Sequence, residues 1–270
     1  MEAKVIAGHG LTPGKTILDE NRTYWTKRAA GYSAVNRAEL ANGQKERWRD
    51  CLKDEIVAHF AGRELSTLRV LDIGCGPGFF SILLCELGCR VTAVDLTPAM
   101  LEQAKENAGR LAGEICFMEM NAEALSFEDA SFDVAISRNL TWNLPHPERA
   151  YAEWTRVLRA GGLLLNFDAN WYAYLFDREA REGYERDRIN SAVQGNGDLN
   201  VGENFDVMES IARRIPLSST QRPVWDLTLL QHLGLKAEAD RGVWQRVWSE
   251  DEKLNFFSTP MFLVRAVSDA

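Results

Sequence analysis

Residues 70–80 read VLDIGCGPGFF, and this short stretch decides the fold. An apolar run ends at the acid Asp72, and glycines then follow at every second position, Gly74, Gly76 and Gly78. A helical pattern begins immediately afterwards. Glycine permits backbone angles that other residues avoid, and it lets a ligand approach the main chain closely. The stretch therefore predicts a strand that ends in a tight turn beside a ligand and continues as a helix.

The spacing of these glycines excludes two common phosphate-binding loops. The dinucleotide fingerprint has the spacing G-x-G-x-x-G, and Phe79 occupies the position of its third glycine. A P-loop requires Gly-Lys-Ser/Thr, whereas Phe79 and Phe80 follow the last glycine here. The glycine turn therefore belongs to a binding site of another type.

A second acid extends the predicted site. Asp95 closes the next predicted strand, and Pro98 begins the helix that follows it. Its distance in sequence from Asp72 suits one helical crossover followed by a parallel strand. An acid at this strand end is placed to accept hydrogen bonds from the two hydroxyls of a ribose. A glycine loop followed by such an acid indicates a nucleoside ligand.

Residues 70–78 resemble motif I of the class I S-adenosylmethionine-dependent methyltransferases, V-L-D-x-G-C-G-x-G, and the chain resembles their small-molecule, type 11 group. The resemblance implies an α/β fold: a doubly wound, Rossmann-like sheet of seven mostly parallel strands with an antiparallel C-terminal strand. It implies S-adenosylmethionine as the cofactor and S-adenosylhomocysteine as its product. The implied reaction is in-line displacement of the methyl group by an N, S, O or C nucleophile of a small molecule, promoted mainly by orientation.

The resemblance places cofactor-binding residues at the ends of four successive strands. They are Asp72, Gly74, Cys75, Gly76, Gly78, Asp95, Leu96, Met100, Asn121, Ala122, Glu123, Arg138 and Asn139. Asn121 stands where the family usually has an acid, and its amide oxygen is expected to accept a hydrogen bond from the adenine amino group. Ala122 is expected to make a main-chain contact, and Arg138 to pair with the cofactor carboxylate.

The segment YWTKRAAGYS resembles the helix that precedes this domain in the family, Y-W-x-x-R-A-x-x-Y. In the family, that helix folds over the cofactor as a lid. By resemblance the lid residues are Tyr24, Trp25, Arg28 and Tyr32. Simple aromatic anchoring of the helix on the domain is the alternative for each of them.

The acceptor side is expected to be aromatic. Trp142 follows the fourth strand, and Asn170, Trp171 and Tyr172 follow the fifth, so they face the same cleft if the resemblance holds. No catalytic residue is identified. His146 and Tyr172 are candidates, although His146 lies between two prolines, where a surface loop residue is the alternative.

The sequence divides into four predicted parts. They are an N-terminal helical lid (1–60), a cofactor-binding core (61–168), an inserted cap over the active site (169–225) and the rest of the core sheet (226–270). Residues 1–20 are interpreted as a loosely ordered lead-in, followed by two or three amphipathic helices. The glycine- and asparagine-rich residues 190–204 are interpreted as a mobile loop whose ordering on binding stays open.

Composition limits the possible partners. The formal charge of −8 and the pI near 5.2 argue against a nucleic-acid partner, and no apolar stretch is long enough for a membrane span. The N-terminal residues have no signal-peptide pattern. Five cysteines without a disulfide framework indicate a reduced, cytoplasmic protein. It is expected to be a monomer or a homodimer, although the sequence does not distinguish the two. No metal is expected, because no histidine follows Cys85 and Cys89 at ligand spacing.

Three other functions remain as alternatives to a small-molecule methyltransferase. A protein or nucleic-acid methyltransferase is disfavoured by the acidic charge and by SRNL in place of an N-P-P-Y or D-P-P-Y tetrad. A nicotinamide-dependent reductase has the wrong glycine spacing. A protein that binds S-adenosylmethionine or S-adenosylhomocysteine without turnover, as a sensor or partner, remains open, since a fold does not by itself set a function.

Overall fold

The computed structural model describes residues 15–195 and 205–268, which form seven strands and ten α-helices. The strands are β1 (Arg69–Ile73), β2 (Arg90–Asp95), β3 (Cys116–Glu119), β4 (Phe132–Arg138), β5 (Leu158–Asp168), β6 (Leu235–Asp240) and β7 (Phe262–Ser268). The helices are α1 (Ile17–Ala41), α2 (Gln44–His59), α3 (Phe79–Glu86), α4 (Pro98–Ala108), α5 (Pro147–Val157), α6 (Arg178–Val193), α7 (Phe205–Ala212), α8 (Val224–His232), α9 (Val243–Val247) and α10 (Glu250–Asn255).

All strands join one sheet in the order β3-β2-β1-β4-β5-β7-β6. Neighbours from β3 to β5 are parallel, whereas β7 runs antiparallel to both β5 and β6. The predicted fold class is therefore confirmed. Because β1 pairs with β2 on one side and β4 on the other, the strand order reverses at β1. Ligands of open α/β sheets bind at such a point, outside the carboxyl ends of the strands.

Both faces of the sheet are covered, which explains why its central strands are apolar at nearly every position. In β1, Val70 packs into the cluster that contains Trp48 of α2 and Phe80 of α3, while Leu71 packs into the cluster that contains Trp154 of α5. Successive residues of a strand point to opposite faces. The two clusters thus pack against opposite faces of the sheet, and the loops at its carboxyl edge form the candidate site.

Helix α1 begins earlier than the sequence predicts. Its first turn is closed by a capping box, in which the Thr16 hydroxyl accepts the Asp19 N–H (3.1 Å) and the Asp19 carboxylate accepts the Thr16 N–H (3.0 Å). Residues 17–20 are thus helical and not a loose lead-in. Residues 1–14 lie outside the described residues.

The two N-terminal helices differ in the faces that they bury. In α1 the buried side chains are mostly polar, including Asn21, Ser33 and Glu39, whereas α2 buries Trp48 and Leu52 in the core. Apolar burial stabilises α2 directly, while α1 depends on hydrogen bonds and ion pairs with the elements beneath it.

Two further details add to the predicted layout. The segment between β6 and β7 contains α9 and α10, and a capping box from Ser249 to Glu252 starts α10. Within the predicted mobile loop 190–204, α6 continues to Val193, and residues 196–204 lie outside the described residues. The boundaries of the four predicted parts stay predictions. Among the helices that the structure describes, none has the length and apolarity to cross a membrane.

Candidate active site

A cavity opens at the carboxyl edge of the sheet, beneath α1. The predicted site residues that line it are Trp25, Tyr32, Gly74, Gly76, Asp95, Leu96, Met100, Asn121, Ala122, Arg138 and Asn139. The remaining predicted residues are not part of its described lining. One cavity therefore brings together four strand ends and two aromatic side chains of α1.

The glycine loop forms the wall of the cavity nearest β1. Gly76 has a left-handed backbone (φ 51°), and a Cβ there would lie 3.7 Å from the Tyr32 ring. Gly74 also has a left-handed backbone (φ 65°), so any other residue there would be strained, and its Cβ would lie 2.6 Å from the Leu140 side chain. Gly78 starts α3 and packs against Ala104, away from the cavity. The loop thus lines the cavity at two positions, Gly74 and Gly76.

Asp95 connects this loop to the next strand end. One carboxylate oxygen accepts the Gly76 N–H (2.9 Å) and the other accepts the Thr97 N–H (2.8 Å). Burial raises the pKa of Asp95 above its usual value, although both hydrogen bonds oppose the shift. Each oxygen keeps a lone pair for a further donor. The residue fits the predicted role of binding two vicinal hydroxyls.

Asp72 lies behind the cavity and is only 2% exposed. The Ser81 hydroxyl donates to its carboxylate (2.5 Å), which ties β1 to the first turn of α3. Burial raises the pKa of Asp72 to about 7. Cys75 is also buried beside the cavity, and its N–H is bonded to the Val94 carbonyl (3.0 Å). Both residues support the glycine loop from behind.

The loop after β3 is held in place by α5. The Trp154 indole N–H donates to the Ala122 carbonyl (3.0 Å), and the Glu123 carboxylate accepts the His146 N–H (2.7 Å). The Asn121 side-chain oxygen accepts the Glu123 N–H (2.9 Å), which closes a local turn. Sequence analysis missed Trp154, since no local pattern links it to a loop 32 residues away.

Arg138 is paired within the protein. Its Nη2 lies 2.6 Å from Glu39 of α1, and its guanidinium packs against the rings of Trp48 (4.6 Å) and Phe79 (4.9 Å). Burial disfavours the charged form, but Glu39 outweighs it and keeps the pKa of Arg138 above its usual value. The carboxylate beside Arg138 is therefore Glu39, which sequence analysis did not select. Pairing of Arg138 with a cofactor carboxylate stays a prediction.

Helix α1 is attached across the cavity at several points. The Asn21 amide donates to the Asn143 carbonyl (2.8 Å), and Arg22 pairs with Glu119 at the end of β3 (2.5 Å). Trp25 lies between the lid rings, 5.2 Å from Tyr24 and 5.6 Å from Tyr32.

Beside the cavity, an aromatic cluster joins α1, the loops after β4 and β5, and the inserted segment. The Trp142 and Tyr172 rings lie 5.0 Å apart. The members of this aromatic cluster are Ile17, Tyr24, Trp25, Trp142, Trp171, Tyr172, Met208, Ile211 and Ile215. Burial raises the pKa of Tyr172, with Tyr24 adding to the shift, so its hydroxyl stays protonated at neutral pH.

A buried ionic network fixes the wall on which this cluster rests. Arg222, fully buried, pairs with Asp168 at the end of β5 (2.7 Å) and with Asp226 of α8 (2.7 Å). Asp168 also accepts the Trp142 N–H (2.9 Å), and the Arg222 carbonyl accepts the Asn170 amide (3.1 Å). Sequence analysis missed Arg222, because nothing in its local sequence distinguishes a buried arginine from an exposed one.

Two remaining predicted residues lie away from the cavity. His146 precedes α5 with its side chain half exposed, and its ring is 3.7 Å from Glu148. This placement fits the alternative of a surface loop residue. Arg28 of α1 is partly buried and is not in the described lining of the cavity. Within the described residues, no group of three or more histidine, cysteine or acidic side chains is arranged to hold a metal ion.

Comparisons with known proteins agree with this architecture. Residues 71–166 match the family model described as "Methyltransferase domain". An uncharacterized protein of Mycobacterium tuberculosis is 39% identical over 103 residues, covering 38% of this chain and 37% of the relative. A ubiquinone/menaquinone biosynthesis C-methyltransferase of Rhizobium leguminosarum is 32% identical over 163 residues, covering 58% of this chain and 61% of the relative. The chain thus spans between 37% and 61% of the length of these relatives.

A solved structure is similar in fold. The phosphoethanolamine N-methyltransferase 2 of Haemonchus contortus, in complex with phosphomonomethylethanolamine and S-adenosylhomocysteine, has a TM-score of 0.51 and 17% sequence identity. The match covers 81% of this chain and 53% of that chain. At this identity the likeness shows the fold.

Proposed function

We propose that this chain, which contains a class I S-adenosylmethionine-dependent methyltransferase domain over residues 71–166, transfers the methyl group of S-adenosylmethionine to a small-molecule acceptor. One observation carries the proposal. A single cavity at the point where the strand order reverses is lined by Gly76, Asp95 and Asn121, the ends of three successive strands. Such a cavity suits an elongated ligand with a nucleoside half and an amino-acid half.

The residues present fit this cofactor. Gly76 offers a main-chain surface without a side chain, Asp95 faces the cavity with free lone pairs, and Met120 and Leu144 provide apolar contact beyond it. When bound, S-adenosylmethionine supplies a sulfonium methyl group that is already electrophilic. The chain has to orient that methyl group, hold the acceptor in line and exclude water, which contributes much of the acceleration in such reactions. Helix α1 covers the cavity and thereby excludes water from it.

Three observations support a small molecule as the acceptor. The cavity lies beneath a helix, so a large substrate would have to displace α1. The aromatic cluster adjoins it, and aromatic faces suit both a flat apolar ring and a transient positive charge. The Rhizobium relative is, by its name, a C-methyltransferase of ubiquinone/menaquinone biosynthesis. The nucleophilic atom is left open among N, S, O and C.

No side chain is assigned as a catalytic base. His146 lies outside the cavity, and the raised pKa of Tyr172 makes its hydroxyl a poor base at neutral pH. The proposal therefore assigns catalysis to orientation, and a base is needed only for acceptors that keep a proton until late in the reaction.

Calorimetry with S-adenosylhomocysteine, followed by transfer of radiolabelled methyl groups to mixtures of small phenols, amines, thiols and quinols, tests the proposal. Binding together with label in an acceptor is expected. Binding with all label remaining on the cofactor would favour the non-catalytic sensor, and absence of binding would refute both functions.

A further inference from the structure

Asn121, the residue that the family resemblance assigns to the adenine amino group, already makes a hydrogen bond within its own loop. Its side-chain oxygen accepts the Glu123 N–H at 2.9 Å. An aspartate at this position would have a second oxygen for the amino group, but the other atom of an asparagine amide is a hydrogen-bond donor. The Asn121 oxygen keeps one lone pair, so it offers a single acceptor site to an amino group that has two hydrogens to donate, and a further acceptor is needed.

Three other carboxamides line the same cavity with side-chain oxygens that have no partner among the described residues: Asn139, which directly follows β4, and Asn21 and Asn143, which lie nearer to the loop of Asn121. Asn21 of α1 is 5% exposed and Asn143 is 6% exposed. Among residues 15–195 and 205–268, neither side-chain oxygen has a hydrogen-bond partner. A buried polar atom without a partner costs roughly 1–3 kcal/mol, so a ligand donor that satisfied both would be bound selectively.

Asn21 and Asn143 lie at the end of the cavity formed by Asn121. The segment from Asn143 to His146 runs beside the loop after β3, since the His146 N–H is bonded to Glu123 (2.7 Å). On the other side, Arg22 pairs with Glu119, the last residue of β3, and this places the neighbouring Asn21 over the same strand end. The Asn21 amide in turn donates to the Asn143 carbonyl (2.8 Å), which keeps the two residues together.

We infer that the side-chain oxygens of Asn143 and Asn21 accept hydrogen bonds from the adenine amino group of the cofactor, a role that the resemblance gives to Asn121. This inference rests on the proposed function. It has a structural consequence for the lid: one of the two acceptors comes from α1, so recognition of the base and closure of the helix over the cavity are parts of the same event.

The test compares S-adenosylhomocysteine with S-inosylhomocysteine, which has a carbonyl oxygen in place of the amino group. Calorimetry on the wild-type chain should show at least about tenfold tighter binding of the adenosyl compound. The variant Asn143→Leu should reduce this preference to about threefold or less, and Asn21→Leu should reduce it in part. Asn143→Asp, which keeps an acceptor at the same place, should retain it.

Asn121→Ala is the matched control. Loss of the turn that Asn121 closes should weaken the binding of both compounds alike and leave the ratio of their Kd values unchanged. The inference is overturned if the wild type shows no preference, if Asn143→Leu and Asn21→Leu both keep the preference, or if Asn121→Ala removes it. Failure of the wild type to bind either compound would instead refute the proposed function. Circular dichroism of each variant confirms that the fold is retained, and Asn21→Leu supplies the result if Asn143→Leu does not fold.

Discussion

The two ends of the candidate site are built in different ways. The proposed cofactor end is formed by the loops after β1, β2 and β3, with main-chain groups and short side chains such as Asp95 that follow their strands directly. The proposed acceptor end is formed by the aromatic cluster and by the network around Arg222, whose members come from distant parts of the chain. The comparison teaches that the proposed cofactor end is built from local structure, whereas the proposed acceptor end depends on long-range contacts.

The largest expected effect belongs to the acceptor end. Arg222→Leu leaves Asp168 and Asp226 buried without their counter-charge, and removal of one partner of a buried ionic network costs about 3–5 kcal/mol. Urea denaturation should show this loss in the free energy of unfolding. Arg178→Leu, at a side chain that is 93% exposed, is the control and should change it by less than about 0.5 kcal/mol. A loss below about 1 kcal/mol for Arg222→Leu would show that the acceptor wall does not depend on this network.

At the cofactor end, the corresponding change should affect binding more than folding. Asp95→Asn removes the charge and one acceptor oxygen, so we expect the Kd for S-adenosylhomocysteine to rise about 30-fold, or about 2 kcal/mol. Calorimetry measures this Kd, and the variant Asp50→Asn, at an exposed side chain, is the control. If stability fell sharply while Kd changed less than about threefold, the contrast between the two ends would be lost.

The buried acid behind the glycine loop predicts a pH dependence. Because the pKa of Asp72 is about 7 in the folded chain and 3.8 as its usual value, the folded state binds the proton more tightly. Its contribution to stability is full below the usual pKa and is lost as the pH rises through about 7. We expect the free energy of unfolding to fall by roughly 2 kcal/mol between about pH 5.5 and about pH 7.5 on account of this group.

Asp72→Asn should remove that part of the pH dependence, since an amide does not titrate in this range. Urea denaturation of both proteins at the two pH values provides the comparison. An equal change in the free energy of unfolding between the two pH values for the wild type and the variant would mean that Asp72 is charged at both. The group that supports the glycine loop from behind would then be an ionised carboxylate.

The smallest effect is expected for the hydroxyl of Tyr172. If the aromatic cluster acts by its ring faces, Tyr172→Phe should keep the rate of methyl transfer within about threefold of the wild type and leave its pH profile unchanged. A rate loss of about a hundredfold or more, together with loss of one limb of the pH profile, would make Tyr172 a catalytic acid or base. Tyr184→Phe, in the stacked pair with Tyr174, is the control for removal of a hydroxyl.

The fold and the position of the glycine loop could be predicted because their signals are local. The glycine turn, the acid that ends β2 and the order of strands and helices are all readable from short stretches, and the sheet confirms them. The roles of single residues were harder to predict from the sequence. The sequence does not reveal that Gly78 packs on Ala104, or that Arg138 is paired with Glu39, because each partner lies in another element.

The sequence by itself determined the class of fold and the position of the glycine loop, and it predicts a nucleoside ligand at the strand ends. It could do so because turns and alternating apolar runs depend on neighbours in the chain. Only the tertiary structure decided that the oxygen of Asn121 is used within its own loop, that α1 buries a polar face over the cavity, and that Arg222 holds the acceptor wall. Those features depend on which side chains meet after folding, and burial then gives each charge or amide a partner that its local sequence does not indicate.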